Sequence, residues 1–518
     1  MKKVQIQSLK RYYSIILIVL IFTTRVPLIT SQFFQADGDE AIVGLMAKEI
    51  VDQGHFRIYF WGQRYGFVPF EASVAAVTFK ILGMNEYSLK MSMLFVWCAG
   101  CLLLFGAIKS EFNPEVAFVF SLILIFCPVW GIWSMKARGG YITAFFFSSL
   151  LARLMAYMNK EKTRKFYLMW LAIGIILAII YFSQKLWLLS LVPFFIPFIY
   201  RRGTLVKVLI LSLALITTAF LIVFLAKNEI GDFMVLPKSI YFHFYPTVLI
   251  SLTKLSVFFR ATYFLGNVFV AGQFNSVVGV IWTCILALLV IAQIIRLVLG
   301  KFYFYSHTLC LATCLSMFAL FANLSNDNTP DLEFRYLLPM AVPFILWFVV
   351  EFYDWTKSIR YKLVLNTFLA GFMILNFAAL YQLRNISIEE IYQPIGLSFS
   401  DSMKEMIQFL EKQNVHATFS RNQMLIWQID FYSNGRVLSR SKDRFDRNRD
   451  YIVPVTKDYL SGKPTAIVDN FNSKDLNPDD PGPGIDPHNI KIFGNQLKVY
   501  MNPTTETLQK LDYDLKTN

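Results

Sequence analysis

The residues best suited to chemistry lie together in Asp37-Gly38-Asp39-Glu40, directly after the first very hydrophobic segment of the chain. Carboxylates at the edge of a bilayer are costly to desolvate, so they usually face a water-filled cavity and have a function there. In such a cavity a carboxylate can remove a proton from an acceptor hydroxyl. A structural alternative stays open, because Asp is a common N-cap and Asp39 would lie at the start of the next helix.

A larger group of charged and aromatic side chains comes from segments that the predicted topology brings to the same outer boundary of the membrane. An arginine fork binds pairs of oxygen atoms and can stabilise the charge on a departing phosphate. Together with carboxylates for proton transfer, such arginines predict group transfer from a phosphate-linked donor. The members are Asp37, Asp39, Glu40, Arg64, Glu71, Arg138, Lys185, Arg260, Arg335 and the tyrosines Tyr65, Tyr141 and Tyr336.

Several members of this group also have a simpler interpretation. Arg260 and Lys185 could anchor a span by extending towards lipid headgroups. Arg335 stands two residues from Glu333 and could form a surface ion pair with it. Gly139-Gly140 could be only a turn. Both interpretations of each residue remain open from the sequence.

The elements that would position these residues are membrane helices. Of the 518 residues 56% are hydrophobic and only 16% are charged, whereas about a quarter is charged in a typical soluble protein. The net charge of +14 does not indicate nucleic-acid binding, because the lysines and arginines are not gathered in one patch with exposed aromatics. They cluster in every second loop instead, which marks those loops as cytoplasmic.

Hydropathy predicts about eleven crossings of the inner (plasma) membrane, with the N-terminus in the cytoplasm and the C-terminus on the periplasmic or extracellular side. The first outer loop, residues 31–86, also contains two shorter apolar stretches, 41–51 and 67–83, which we predict to be surface or re-entrant helices. A further surface helix is expected at 248–260. The predicted spans are residues 13–30, 87–108, 116–134, 142–158, 166–182, 186–200, 204–226, 277–299, 303–322, 336–352 and 363–381.

The composition changes near Arg384 to that of a small soluble domain. We therefore assign residues 1–383 to a membrane domain and 384–518 to an extracytoplasmic α/β domain. Its loop at 477–489 is rich in proline and aspartate but lacks the ligand spacing of a calcium loop. Periodicity predicts a helix at 401–413 and short strands at 415–419, 437–439, 451–455, 465–468 and 497–501.

Metal and nucleotide motifs are scarce. The cysteine pairs Cys98/Cys101 and Cys310/Cys314 lie inside predicted spans without a nearby histidine or second thiolate pair. We therefore interpret these cysteines as small hydrophobic residues that pack between helices and not as metal ligands. The five histidines are scattered, and no Walker loop, dinucleotide-binding glycine motif or zinc-protease motif occurs. No cofactor is predicted with certainty. Asp37 and Asp39 form an Asp-x-Asp pair that could hold a divalent cation, and we leave this open.

Four segments of the chain are distinctive: Asp39-Glu40, Trp61-Gly62-Gln63-Arg64-Tyr65-Gly66 with Glu71, Lys136-Ala137-Arg138-Gly139-Gly140-Tyr141, and Arg335-Tyr336-Leu337-Leu338-Pro339. Together they resemble the membrane-embedded GT-C glycosyltransferases. Most similar are the bacterial family 39-like members, related to protein O-mannosyltransferases and to the lipid A aminoarabinose transferase. The resemblance covers the whole membrane part, and the polar tail is similar to the outer domain of some bacterial members.

The resemblance implies inverting transfer of a hexose or pentose from a polyprenyl-phosphate carrier to a glycan, lipid or protein acceptor on the outer face. By position, Asp39 matches the family's catalytic carboxylate, with Glu40 beside it. Arg335-Tyr336 matches the motif near the lipid phosphate, and Arg138 lies in the outer turn that often lines the site. Arg64 is a further candidate for the donor phosphate. The candidates for the substrate cavity are Asp37, Gln63, Tyr65, Glu71, Tyr141 and Lys185.

Two other classes of function fit the same composition. A transporter or flippase for a lipid-linked or anionic substrate also places charges inside the membrane, but such proteins commonly show two related halves, and no long internal repeat is visible here. A non-catalytic scaffold would leave the acidic and basic clusters with no need to converge.

Overall fold

The computed structural model describes residues 12–31, 34–61, 66–160, 166–226, 275–323, 338–356, 362–382, 399–442, 448–470, 485–494 and 497–515. Several predicted site residues lie outside these ranges, and the surface helix expected at 248–260 does so as well. These residues are Gln63, Arg64, Tyr65, Arg260, Arg335 and Tyr336.

The described residues between 12 and 382 form a bundle of apolar helices, and each predicted span coincides with one helix or with two consecutive helices. In the described residues, α4, α7, α8, α11 and α14 are long and apolar enough to cross a membrane, and α1, α5, α12 and α15 contain shorter apolar helices. The chain is thus an integral membrane protein, whereas the number of about eleven crossings stays a prediction. The helices are α1 (Tyr13–Ile29), α2 (Gly38–Gln53), α3 (Pro69–Leu82), α4 (Glu86–Glu111), α5 (Pro114–Phe126), α6 (Pro128–Trp133), α7 (Tyr141–Lys160), α8 (Phe166–Gln184), α9 (Trp187–Ser190), α10 (Val192–Arg202), α11 (Leu205–Leu225), α12 (Asn275–Val298), α13 (Phe304–Asn323), α14 (Leu338–Thr356) and α15 (Lys362–Gln382).

Prolines divide two of the predicted spans. The segment 116–134 is broken at Cys127, because Pro128 lacks an N–H and begins the short helix α6. The segment 186–200 is divided into α9 and α10, with Pro193 in the first turn of α10. The first break matters for function, since α6 leads directly into the turn that carries Lys136 and Arg138.

The two helices predicted in the first loop are present as α2 and α3, and they pack against each other. Every residue of α2 from Gly38 to Ala47 is buried within the protein, whereas its position along the membrane surface stays a prediction. The physical reason is a second layer that covers α2, contributed by the C-terminal unit.

The C-terminal unit, residues 399–515, is a five-stranded sheet with helices. The strand order is β2-β1-β3-β5-β4, in which β2, β1 and β3 run parallel, while β5 is antiparallel to β3 and to β4. Its elements are α16 (Phe399–Lys412), β1 (Ala417–Phe419), α17 (Gln423–Tyr432), β2 (Leu438–Arg440), α18 (Arg449–Leu460), β3 (Thr465–Asn470), β4 (Ile490–Phe493), β5 (Leu497–Met501) and α19 (Thr505–Lys510).

The prediction for this unit was right for four strands and wrong for one. The segment 451–455 lies inside α18 and is not a strand. Its run of Ile452, Val453 and Val455 has high β propensity, yet Val455 packs as one turn of a helix against β1 and Tyr513. The edge strand β4 and the helix α17 were missed.

Helix α17 belongs to two cores at once. Leu425 and Ile429 pack with the sheet, whereas Ile426, Trp427 and Phe431 belong to the hydrophobic core of the membrane helices. The indole of Trp427 meets that of Trp61 edge-on, with ring centres 5.5 Å apart. The C-terminal unit is thus packed directly onto the segment that carries the acidic cluster.

Candidate active site

The N-terminus of α2 is closed by Asp37. The Asp37 side chain accepts a hydrogen bond of 2.9 Å from the Glu40 N–H, and the Glu40 side chain accepts one of 3.1 Å from the Asp37 N–H. This reciprocal pattern is a capping box. The alternative that Asp39 is the cap is therefore wrong, because Asp37 fills that position and Asp39 lies in the first turn with its side chain available for other contacts.

Asp39 is paired with Arg138, which lies 99 residues further along the chain. Both Nε and Nη2 of Arg138 lie 2.9 Å from Asp39 Oδ2, and Nη1 lies 3.5 Å from Asp37 Oδ2. Lys136 Nζ lies 2.6 Å from the same oxygen of Asp37. The predicted convergence of carboxylates and cations is therefore present for these residues.

Burial and opposite charge act together on this cluster. Although burial alone would raise the pKa of Asp37, the cations of Lys136 and Arg138 hold that pKa well below its usual range. Burial would lower the pKa of Arg138, but the carboxylates of Asp37 and Asp39 raise it above its usual value. Asp37 and Arg138 therefore keep their charges across the whole physiological pH range.

Glu40 has a different environment from Asp39. Lys90 Nζ lies 2.7 Å from one Glu40 oxygen and 2.8 Å from the other. Glu40 is 1% exposed and Lys90 6%, so the pair is removed from water. Lys90 lies on α4, and sequence reasoning missed it; the only signal was a lysine near the start of an apolar span.

The turn at 134–140 presents Lys136 and Arg138 to α2. It ends in Gly139 and Gly140, which have φ values of 60° and 88° that only glycine adopts without strain. A Cβ atom on Gly140 would lie 3.1 Å from the backbone of Ser183 at the end of α8. These glycines therefore serve a required backbone conformation and a close contact with α8.

Arg25, which lies inside the helix bundle, stabilises the segment that leads into this turn. Its guanidinium donates hydrogen bonds to the carbonyl oxygens of Ile125 at 2.6 Å and Trp130 at 2.9 Å, and to Ser134 Oγ at 3.1 Å. It also lies 4.7 Å above the ring of Trp97. The arginine therefore satisfies carbonyl groups on both sides of the break between α5 and α6. Sequence reasoning missed this residue, although an arginine inside a predicted span was a usable signal.

Glu71 is fully buried and supports the start of α7. Its Oε1 accepts hydrogen bonds of 3.1 Å from both the backbone N–H and the hydroxyl of Thr143. Burial raises the pKa of Glu71 to about 7, against the effect of these hydrogen bonds. The residue predicted for the cavity thus holds the helix that follows Arg138.

Tyr141 and Lys185 lie near the same turn. The ring of Tyr141 is buried, with its centre 5.1 Å from that of Trp133. The same indole faces Lys136 at 5.7 Å and Arg138 at 6.0 Å. Lys185 is half-buried in the turn between α8 and α9, next to Gln184, whose side chain donates to the carbonyl of Gly139 at 3.5 Å.

Comparison with known proteins connects this arrangement to a fold. No protein-family model and no curated protein matches the sequence. Among solved structures, the apo form of ArnT from Cupriavidus metallidurans aligns with 95% of this chain and 98% of its own, at 12% identity and a TM-score of 0.60. The chain thus shares the fold of this ArnT structure, as the sequence resemblance implied.

Two further solved structures align less closely. ArnT bound to undecaprenyl phosphate has a TM-score of 0.49 at 12% identity, over 95% of this chain and 98% of that chain. The oligosaccharyltransferase of Archaeoglobus fulgidus, tethered with an acceptor peptide, has a TM-score of 0.48 at 11% identity and covers 90% of this chain and 69% of its own.

A divalent cation at the Asp37 and Asp39 pair stays a prediction from the sequence. Lys136 and Arg138 already lie against oxygens of both carboxylates, and a metal ion would have to share those oxygens with two cations. Among the described residues no group of three histidine, cysteine or acidic side chains is placed to hold a metal. The arrangement does suit a proton-accepting carboxylate next to a cation for an oxyanion.

Proposed function

We propose that the protein is an inverting glycosyltransferase that moves a sugar from a polyprenyl-phosphate carrier to a glycan, lipid or protein acceptor on the outer face of the membrane. The observation that supports this most is the pairing of Asp39 with Arg138 at the start of α2 in a chain with the GT-C fold. ArnT, whose apo form has this fold, has also been crystallised with undecaprenyl phosphate.

The proposed reaction is one displacement at the anomeric carbon. The acceptor oxygen forms a bond to that carbon on the face opposite the phosphate, and Asp39 takes the proton of the acceptor hydroxyl. The bond between the anomeric carbon and the phosphate oxygen breaks, and its electron pair leaves with the polyprenyl phosphate. Arg138 and Lys136 stabilise the charge on that oxygen. Arg335, Tyr336 and Arg64 are proposed to complete the phosphate site.

Asp39 is a better base than its two neighbours because of the contacts of each carboxylate. Asp37 caps α2 and is held by Lys136. Glu40 has both oxygens against Lys90. Asp39 has no part in the capping box, and its partner Arg138 is the most exposed of the cations in the cluster, with 25% of its side chain accessible.

Charge balance explains how the donor engages this site. Asp37, Asp39 and Glu40 are matched by Lys90, Lys136 and Arg138, so the cluster has no net charge before the donor phosphate arrives. The phosphate competes with Asp39 for the guanidinium of Arg138, because bidentate arginine contacts to phosphate and to carboxylate are similar in strength. Transfer of Arg138 to the phosphate loosens the ion pair and allows Asp39 to accept a proton.

The test is a transfer assay with the full-length protein in lipid nanodiscs. Synthetic undecaprenyl phosphates carrying labelled pentoses or hexoses serve as donors, and membranes from cells that lack the gene supply acceptors. The proposal predicts that at least one donor releases undecaprenyl phosphate while its label appears on an acceptor with inverted anomeric configuration. Mass spectrometry of surface glycans with and without the gene then identifies the acceptor.

The same assay decides between this proposal and a flippase. A flippase would move the labelled donor across a vesicle membrane with its sugar–phosphate bond intact. Translocation without bond cleavage for every donor would overturn the proposed glycosyl transfer and favour lipid transport.

A further inference from the structure

The peptide groups of Ala36 are held by the C-terminal unit. The Ala36 N–H donates a hydrogen bond of 3.0 Å to the hydroxyl of Tyr432, and the Ala36 carbonyl accepts one of 2.9 Å from the side chain of Gln428. Both side chains belong to α17. Ala36 itself is completely buried, so neither peptide group can turn to water instead.

Helix α2 cannot supply these hydrogen bonds itself. Its first intrahelical bond runs from the Ala41 N–H to the Asp37 carbonyl, and the Glu40 N–H is taken by the Asp37 side chain. The peptide groups of Ala36 therefore lie just outside the helix's own bonding. If α17 stayed in place without the side chains of Tyr432 and Gln428, these peptide groups would be buried polar groups with no partner, a condition that native structures avoid.

The approach of α17 to α2 is unusually close at two glycines. A Cβ atom on Gly38 would lie 2.7 Å from backbone atoms of Met424, and one on Gly44 would lie 2.3 Å from the ring of Phe431. Any larger residue at these positions would push the helices apart. The position of the first turn of α2, which carries Asp39, is therefore set from the side of the C-terminal unit.

A second contact prevents the C-terminal unit from sliding along α2. The carboxylate of Glu86, at the start of α4, accepts hydrogen bonds of 2.9 Å from Ser400 Oγ and 2.8 Å from Lys404 Nζ. Ser400 and Lys404 belong to α16, so α16 is tied to α4 while α17 is tied to the segment before α2.

We infer that Tyr432 and Gln428 are positioning residues for sugar transfer, which hold the start of α2 so that Asp39 meets Arg138. The inference rests on the proposed function. Arg138 reaches the site from the turn after α6, and Asp39 reaches it from α2, so their alignment depends on what fixes each element. A shift of about 1 Å in such a constellation is enough to lower turnover strongly.

The experiment uses four variants of the full-length protein in nanodiscs. Tyr432→Phe removes the hydroxyl that binds the Ala36 N–H, and Gln428→Met removes the amide that binds its carbonyl. Tyr459→Phe is the matched control, since its hydroxyl pairs with Thr505 inside the C-terminal unit. Gln423→Met is the second control, because Gln423 is an exposed glutamine on the same helix.

Two measurements are made on each variant. Hydrogen exchange at residues 34–41 should be about 10-fold faster in Tyr432→Phe and Gln428→Met, from the loss of one buried hydrogen bond. Their kcat with the labelled undecaprenyl-phosphate sugar should fall about 10-fold with KM for this donor unchanged, because the phosphate contacts remain while the base is displaced. Both controls should match the wild type.

The outcomes separate this inference from the proposed function. Unchanged exchange in both test variants, or faster exchange with unchanged kcat, would overturn the positioning role while leaving glycosyl transfer intact. A general loss of protein from the membrane or an equal loss in the controls would also contradict it. If the wild type transfers no sugar from any donor, the proposed function fails and the positioning role for sugar transfer fails with it. The exchange rates alone then decide whether α17 holds Ala36.

Discussion

Asp37 and Asp39 stand two residues apart and have different environments because a helix has only one N-cap position. Asp37 occupies it and turns its other oxygen to Lys136, so Asp39 on the next part of the turn meets Arg138. The sequence pattern predicted that carboxylates and cations would meet, since charged residues in loops next to spans need polar partners. It could not assign the cap, because either aspartate has the chemistry for it.

The buried pair of Glu40 and Lys90 yields a prediction about which carboxylate is catalytic. Lys90→Met leaves Glu40 charged and buried without its partner, which should cost about 3–5 kcal/mol of stability. Adding Glu40→Gln removes the unpaired charge and keeps the capping box, since glutamine also serves at that position. Thermal unfolding should show recovery of most of the loss in the double variant.

Sugar transfer by that double variant then tests the role of Glu40. If Glu40 is structural, the double variant with recovered stability transfers sugar at a rate close to that of the wild type. Loss of transfer despite recovered stability would assign Glu40 a direct catalytic role.

Glu71 predicts a pH effect of definite sign. Its pKa is raised from 4.5 to about 7 by burial, so the folded protein keeps a proton that the unfolded chain loses. The contribution of Glu71 to the free energy of unfolding is therefore fully present below pH 4.5 and is lost as the pH rises to about 7. Glu71→Gln removes this decline, and the difference from the wild type should reach about 3 kcal/mol at pH 8.

Melting temperatures of the wild type and Glu71→Gln, measured at pH 5 and pH 8, check this effect. The stabilisation by Glu71→Gln should be larger at pH 8 than at pH 5. A difference that does not change between the two pH values would show that Glu71 is not a buried proton-binding group.

At the scale of elements, helices were predictable and their interruptions were less so. The long apolar segments coincide with helices because hydrocarbon leaves backbone groups no other partner than the helix itself. Pro128 in the segment 116–134 could have indicated the break between α5 and α6. The segment gives no indication of Arg25 on α1, which donates hydrogen bonds to the carbonyl groups at that break.

Arg25 should accordingly affect the site although it does not touch it. Arg25→Lys keeps the charge but cannot reach Ile125, Trp130 and Ser134 together, because an ammonium lacks the planar fork. We expect the turn with Lys136 and Arg138 to loosen and KM for the labelled donor to rise about 10-fold, by loss of a buried charged hydrogen bond. Arg153→Lys is the control, since Arg153 binds the Gly106 carbonyl and Ser110 between α7 and α4. An equal rise in both variants would contradict this role.

The strands of the C-terminal unit were predicted where most of their residues are buried and therefore apolar. The strand with exposed residues was missed. The strand β5 was predicted with its observed bounds, because most of its residues are buried. The strand β4 has only Phe493 buried and two exposed residues in its middle, so no pattern marks it. The composition of segment 451–455 predicts a strand. The segment is helical because its tertiary contacts outweigh its β propensity.

At the scale of the whole molecule, the C-terminal unit is a structural part of the candidate site. Ala36 bonds with Gln428 and Tyr432, which follow it by 392 and 396 residues. Local pattern carries no information about contacts at such separations, and an amphipathic helix after a span is ordinarily expected at the membrane surface. The sequence therefore contained no sign that α17 covers α2.

The domain division at residue 383 remains a prediction about folding units. The packing of Trp427 and Phe431 into the core of the membrane helices indicates that the two parts share an interface of core-like character. Helix α17 packs against both parts, with Trp427 in the core of the membrane helices and Leu425 in the core of the C-terminal unit.

The central claim is that Asp39 acts on the substrate and is not a structural residue. Its most direct test compares sugar transfer by the Asp39→Asn variant with sugar transfer by the Asp52→Asn variant. Asp52 is the matched control because it lies on the same helix and pairs with Lys48 on the exposed face. Both variants should fold and reach the membrane at wild-type levels. Asp39→Asn should lose at least about 100-fold in kcat, as expected for a general base, and Asp52→Asn should remain close to the wild type. Transfer by Asp39→Asn at the wild-type rate would contradict the account.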